Sequence, residues 1–162
     1  MFYDCSSLEK IDISHFNIEK IYNMNETFAY CTSLKSLDLG NFNTKNVVSM
    51  NSLFRNCTHL TSINISSFNT EKVEIMSQMF YGCNELTSLN LKNFDIRKAT
   101  KISFMFYYCN KLNNLDISSF ETDITNVEII SDLSEYGVIT VNAKFYEKIK
   151  NQIPKNWKTV IN

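Results

Sequence analysis

The sequence predicts an α/β solenoid: a stack of similar coils, with a parallel β-sheet on the concave side and short helices on the convex side. Three observations lead there. The five cysteines, Cys5, Cys31, Cys57, Cys83 and Cys109, follow one another at intervals of 26 residues. Each is flanked in phase by phenylalanine three before (Phe2, Phe28, Phe54, Phe80, Phe106) and leucine three after (Leu8, Leu34, Leu60, Leu86, Leu112). Isoleucine or leucine recurs six and eight residues after each cysteine, and a second phenylalanine eleven after (Phe16, Phe42, Phe68, Phe94, Phe120). Self-similarity at a fixed period marks a unit that cannot bury its own apolar faces and must stack on its neighbours.

Leu34 to Leu60 serves as the unit. Leu34, Leu37 and Leu39 fit L-x-x-L-x-L, the strand signature of a leucine-rich repeat. Leu37 and Leu39 alternate with Ser36, Asp38 and Gly40, so one strand face is apolar and the other polar. Phe42 enters the core from the turn that follows. Thr44, with Thr70 and Thr122 at equivalent places, is positioned to cap a helix N-terminus. Val47, Met50, Leu53 and Phe54 then form an apolar stripe at helical spacing, repeated as Val73, Met76, Met79 and Phe80. Each 26-residue repeat therefore reads as strand, turn, short helix, turn.

Beyond the last cysteine the pattern loosens. Adding 26 to Leu112, Leu115 and Ile117 gives Val138, Val141 and Ala143, which predicts a sixth strand near Val138–Val141. Ile124, Val127 and Ile130 carry the helical stripe one residue early, and Glu135 stands at the cysteine position. Phe145 to Lys150 reads as a helix closed off before Pro154, and Trp157 to Ile161 as a last strand. The expected organisation is five leucine-rich repeats over 1–135 and a C-terminal capping unit of strand, helix and strand over 136–162. The chain starts inside a repeat with no polar cap ahead of it, and reads as a segment of a longer protein.

The 162 residues carry a formal net charge of −1, with charges dispersed along the chain. That leaves no basic footprint for nucleic acid. No stretch is long and apolar enough to span a bilayer, and residues 1–5 show no basic region leading into an apolar run. Nucleophile elbows, phosphate-binding glycine loops and zinc-protease helices are absent from the sequence. Neither a catalytic residue nor a cofactor or metal site is expected.

The strand positions supply the candidate site. Asp12, Asp38, Asn64, Asn90 and Asp116 should face outward in one row, with Lys10, Ser36, Ser62, Ser88 and Asn114 beside them. Ser14, Gly40, Ser66, Lys92 and Ser118 flank the row on its other side. Short polar side chains on a curved sheet suit hydrogen bonding to a protein or a glycan. The plainer alternative is that they solvate the sheet and bond along its own ladder. The cysteines read as buried thiols counting the coils. A disulfide between neighbouring coils is sterically open to them, whereas the close cysteine pairs of a zinc site are missing. His15 and His59 fall at different phases and read as surface residues. Asn25, Asn56 and Asn64 open glycosylation sequons. Tyr3, Tyr30, Tyr81, Tyr107 and Tyr108, together with Trp157, are weaker candidates for an interface.

The block F-x-x-C-x-x-L-x-x-L-D-L-x-x-F-N-T, which stands at Phe28 to Thr44, resembles the BspA-type leucine-rich repeat. It is most similar to the mycoplasma-type subgroup of surface lipoproteins, in which N-M-x-x-M-F-x-x-C recurs. Asn23-Met24 with Phe28 and Cys31, and Met76 with Met79-Phe80 and Cys83, carry that likeness. The resemblance implies a cell-surface or secreted module for adhesion and protein binding, acting on host matrix, cell-surface protein or glycan. The expected function is non-enzymatic recognition through the concave sheet. A structural spacer, or a segment that self-associates through its open N-terminal edge, is the alternative. No membrane insertion of this segment is expected.

Overall fold

The computed structural model describes residues 1–162. It is a parallel β-solenoid of about five turns with very little helix. One side carries short strands: β1 (Ser36–Asp38), β2 (Ser62–Asn64) and β3 (Ser88–Asn90). β5 (Asn114–Ile117), β7 (Gly137–Val141) and β8 (Trp157–Ile161) complete that side. The opposite side carries β4 (Phe106–Tyr107) and β6 (Ile130–Ser131), and α1 (Ala143–Ile149) is the only α-helix.

The strands form where apolar and polar residues alternate. Leu37, Leu89 and Leu115 are buried, while the residues on either side of Leu37 and Leu89 are exposed. β1 pairs with β2, β3–β5–β7–β8 form a four-stranded sheet, and β4 pairs with β6, all in parallel. Ser36 lies opposite Ser62 and Ser88 opposite Asn114, partners 26 positions apart. The interval then shrinks. Asn114 lies opposite Val138 and Gly137 opposite Trp157, which are steps of 24 and 20. The expected phase of the sixth strand is therefore wrong by two residues. Leu115 and Ile117 face Ile139 and Val141, which are buried, while Val138 points outward at 36% exposure.

The predicted convex helices are absent, although the stripe that predicted them is buried. Val47, Met50, Leu53 and Phe54 are all sealed in the core. The backbone reaches that burial by a different route. The amides of Met24, Glu26, Phe28 and Tyr30 donate to Ser49, Asn51, Leu53 and Arg55 of the next coil, at 2.9, 2.9, 3.0 and 2.7 Å. The amides between them turn back locally, Thr27 to Met24, Ala29 to Glu26 and Cys31 to Phe28. Glu26 and Tyr30 have φ of 53° and 62°, and Ser52, Asn56, Gln78, Gly82, Phe104 and Tyr108 repeat that left-handed geometry. A left-handed residue every four positions prevents an α-helix. The result is a ladder of turns that sends alternate amides across to the neighbouring coil.

Thr44, Thr70 and Thr122 are accordingly not helix caps. Thr44 Oγ1 accepts the Asn69 amide and donates to the Asn69 carbonyl, both at 2.8 Å. Thr70 spans the same gap to Asp95. Thr122 Oγ1 accepts the amide of Ile124 within its own turn. Down the centre runs a stack of Phe2, Phe28, Phe54, Phe80 and Phe106, with successive ring centroids 5.3, 5.9, 5.5 and 6.0 Å apart. No helix is long and apolar enough to cross a membrane.

Candidate functional site

The outward row of aspartates and asparagines closes each strand. Asp12, Asp38, Asn64, Asn90 and Asp116 each use Oδ1 to accept the backbone amide two residues on, at 3.0, 2.9, 3.2, 3.2 and 3.0 Å. A short side chain that bonds its own backbone in this way sets the turn after the strand. This explains why the residue type recurs. The Ser14 hydrogen bonds hold the Asp12 carboxyl below the usual carboxylate range. The Oδ1 of each group is thus committed to the fold, and the three aspartates keep a second carboxylate oxygen free of that bond. Asn64 Nδ2 also donates to Asp38 Oδ1 at 2.8 Å, tying two coils.

The structure gathers the predicted residues unevenly. Ser36 and Asp38 stand in register with Ser62 and Asn64, and Ser88 and Asn90 with Asn114 and Asp116. All are exposed except Asp116, which is half-buried. Lys10 and Asp12 are exposed as well, but lie in an extended segment outside the sheets. Between β2 and β3 the ladder is open. Leu39 and Leu91 donate their amides to Asn64 and Asp116 of the following coil at 2.9 and 2.8 Å, but the equivalent amide of Ile65 reaches no carbonyl.

Two cavities sit on this face. One of about 390 Å³ is bordered by Asp12, Ser14, Asp38, Gly40, Asn41 and Asn64. The other, of about 230 Å³, lies over the open ladder between Ile63, Asn64, Leu89, Asn90 and Lys92. Asn64 and Ser66 border both, so the two cavities adjoin along a groove-like face that spans four coils. Gly40 keeps it open at its acidic end, because a Cβ there would stand 2.4 Å from Asn64 Nδ2. Neither Asp12 nor Asp38 forms a salt bridge, whereas Lys35–Glu9 and Lys111–Glu85 pair elsewhere across coils. Both cavities are lined mostly by hydrogen-bonding side chains, which suits a polar ligand. Sequence reasoning found the row but missed Asn41, Asn93 and the open amide of Ile65. Asn41 and Asn93 share a phase, which was the available signal. Nothing local in the sequence marks where a ladder opens.

The other candidates resolve into structural parts. All five cysteines are free. Four donate their thiols to phenylalanine carbonyls one coil back: Cys31 to Phe2, Cys57 to Phe28, Cys83 to Phe54 and Cys109 to Phe80, at 3.0 to 3.2 Å. His59 Nδ1 lies 2.6 Å from the Thr32 carbonyl on the surface, and His15 is exposed. The tyrosines line up on the turn side. Tyr3 packs edge-on to Tyr30 and Tyr81 to Tyr108, while the Arg55 guanidinium sits over Tyr30 and Tyr81 at 5.8 and 5.0 Å. Trp157 is buried, its Nε1 donating to the Ser134 carbonyl.

A family model described as a Mycoplasma protein of unknown function, DUF285, matches residues 1–120 and, in a second overlapping match, residues 35–157. No curated protein and no solved structure matches the chain.

Proposed function

This chain belongs to the mycoplasma family DUF285, and from that premise we propose that it is a non-enzymatic recognition module of a surface or secreted repeat protein. In this reading the coils are 26-residue leucine-rich repeats of the BspA type, residues 1–135 form five of them, and 136–162 close the stack. The strand side is the concave, partner-binding face. The observation that supports this most is the face shared by Asp12, Asp38, Asn64 and Asn90, polar, exposed and lined by two adjoining cavities. Its partner is a protein, and the segment does not insert into a membrane. The family resemblance adds the cell-surface location. The proposal has no catalytic step and no cofactor.

Reversing the row with Asp38→Lys, Asn64→Lys and Asn90→Lys tests it. Each side chain is exposed, so the fold should survive, although each variant gives up its turn-closing hydrogen bond at about 1 kcal/mol. Adhesion to host cells or matrix proteins by the protein displayed on a cell should fall at least roughly tenfold. Undiminished adhesion by a folded triple variant would remove the groove from the binding face. Inhibition by free sugars rather than by proteins would make the partner a glycan. The alternative is a structural spacer, and its mark is a triple variant that changes nothing measurable.

A further inference from the structure

On the turn side the row of tyrosines is interrupted by a cation. Arg55 stands between Tyr30 of the coil before and Tyr81 of the coil after. Its guanidinium lies 5.8 Å from the centre of the Tyr30 ring and 5.0 Å from that of Tyr81. Tyr108 continues the row, edge-on to Tyr81 at 5.2 Å. A guanidinium held against two rings is fixed in place before any ligand arrives.

The chain has two arginines, and the structure uses them differently. Arg97 is spent on Asp95, with Nε and Nη2 both donating to its carboxylate. Arg55 has no acidic partner. Of the five N–H donors an arginine carries, it uses one, from Nη1 to Gln78 Oε1 at 2.8 Å. Its Nε is buried without a partner, the one side-chain nitrogen or oxygen of the molecule in that position. The Tyr107 hydroxyl donates to Glu128 at 2.6 Å, whereas those of Tyr30 and Tyr81 meet no protein group.

Packing alone does not call for this arrangement. Tyr30 and Tyr108 have φ of 62° and 59°, at the position where other coils place Asp4, Asn56 and Gly82 with φ of 57°, 56° and 71°. Aspartate, asparagine and glycine enter left-handed backbone readily, and a bulky tyrosine does not. Backbone outliers of that kind gather at ligand-binding sites. A methionine would also fill the space between the two rings, without bringing a charge.

We propose that Tyr30, Arg55 and Tyr81 form a docking site for a carboxylate side chain of a partner protein, on the side of the molecule opposite the strands. The carboxylate accepts two parallel hydrogen bonds from the unused N–H groups of Nη1 and Nη2, and the two tyrosine hydroxyls flank it. Arginine and tyrosine are also the side chains that carry most energy in protein interfaces. A pyranose fits less well, because Tyr81 is enclosed between Arg55 and Tyr108 and has no open ring face to offer. The site shares no residue with the strand face and stands or falls separately from it.

Having only two arginines makes the test direct. The full chain, isotope-labelled in its arginine side chains, is titrated at low ionic strength with an acetylated and amidated tetraglutamate peptide and followed by NMR. The Arg55 guanidinium signal should move and saturate, while that of Arg97, already paired, stays in place. Arg55→Lys keeps the charge and loses the fork, and should weaken binding at least roughly tenfold, read from the Tyr30 and Tyr81 ring signals. Tyr30→Phe combined with Tyr81→Phe keeps the rings and should weaken it by a smaller factor. If the Arg55 signal does not move, or both arginine signals drift together without saturating, the proposal fails. Sialyllactose and inorganic phosphate are titrated in parallel. A saturable response of Arg55 to either of them, with none to tetraglutamate, would make the occupant a sugar acid or a phosphate and overturn the proposal.

Discussion

The cysteine shows how one side chain serves a repeat. Cys57, Cys83 and Cys109 are wholly buried, and each spends its S–H on a main-chain carbonyl of the preceding coil. Burial pushes Cys31 up to about 11 and Cys57 and Cys109 up to about 12, and raises Cys83 well above its ordinary value. A thiolate is the reactive form, so burial that disfavours it lowers the reactivity of these four while the protein stays folded. The same shifts predict alkaline instability. The folded pKa values are raised, so the native state keeps protons that the unfolded chain releases above its ordinary thiol value of 9.0. Stability is therefore fully present below pH 9 and falls as pH rises toward the folded values of about 12. Each thiol contributes up to about 1.4 kcal/mol per pH unit. Urea midpoints measured from pH 7 to 11 should be flat and then drop. Cys57→Ser, which keeps a donor for Phe28 but does not titrate, should drop less steeply. A flat alkaline limb in the parent protein would contradict the buried thiol ladder.

At the scale of the element, the turn ladder tests whether the residues that read as helix are turns. Glu26 is exposed, has φ of 53°, and donates its amide to Asn51 at 2.9 Å. In a helix interior, Glu26→Gly would cost about 1 kcal/mol. At a left-handed position glycine is unstrained, so the change should fall within about 0.5 kcal/mol of neutral. Glu26→Pro fixes φ at the wrong sign and removes the donor, and should cost about 3 kcal/mol or more. Chemical denaturation of the two variants decides the matter, and a glycine penalty near that of a helix interior would speak for helix. Much of the fold was legible because apolar phase reports burial whatever the backbone does. Leu37 and Leu39 faced inward as read, and so did Val47, Met50 and Leu53. Their spacing is compatible with a helix and equally with a run of turns. What tells the two apart is the left-handed backbone at Tyr30, Ser52 and Gln78, where ordinary L-residues give no warning. Thr44 misled for the same reason: it serves backbone amides, but those of the next coil. In the candidate site, the row from Asp12 to Asp116 was legible from its period. The opening beside Ile65 was not, because a missing hydrogen bond between coils leaves no mark on either coil's sequence.

Across the whole molecule, the hydrogen bonds between coils join neighbours, so stability should behave as a sum of coil and interface terms. The consequence is that damage stays local. Gln152 is the sharpest place to see it, because one side chain replaces a missing coil for Ile129, Ile130 and the Val127 carbonyl. Gln152→Ala leaves two amides and a carbonyl to find water at the margin of the core. Each such group costs about 1–3 kcal/mol where water cannot reach it and less where it can, so a total of about 2 kcal/mol is expected. Hydrogen exchange should speed up first at Ile129 and Ile130, then at their neighbours Phe104 and Phe106, whose amides lean on that last turn. The amide of Phe28, bonded to Leu53 of the next coil and four coils from Ile129, should keep its protection until the whole stack opens. Equal loss of protection at Phe28 and Ile129 would mean that the coils unfold as one unit. The picture of a molecule assembled from nearest neighbours, with Gln152 holding the last turn, would then have to be given up.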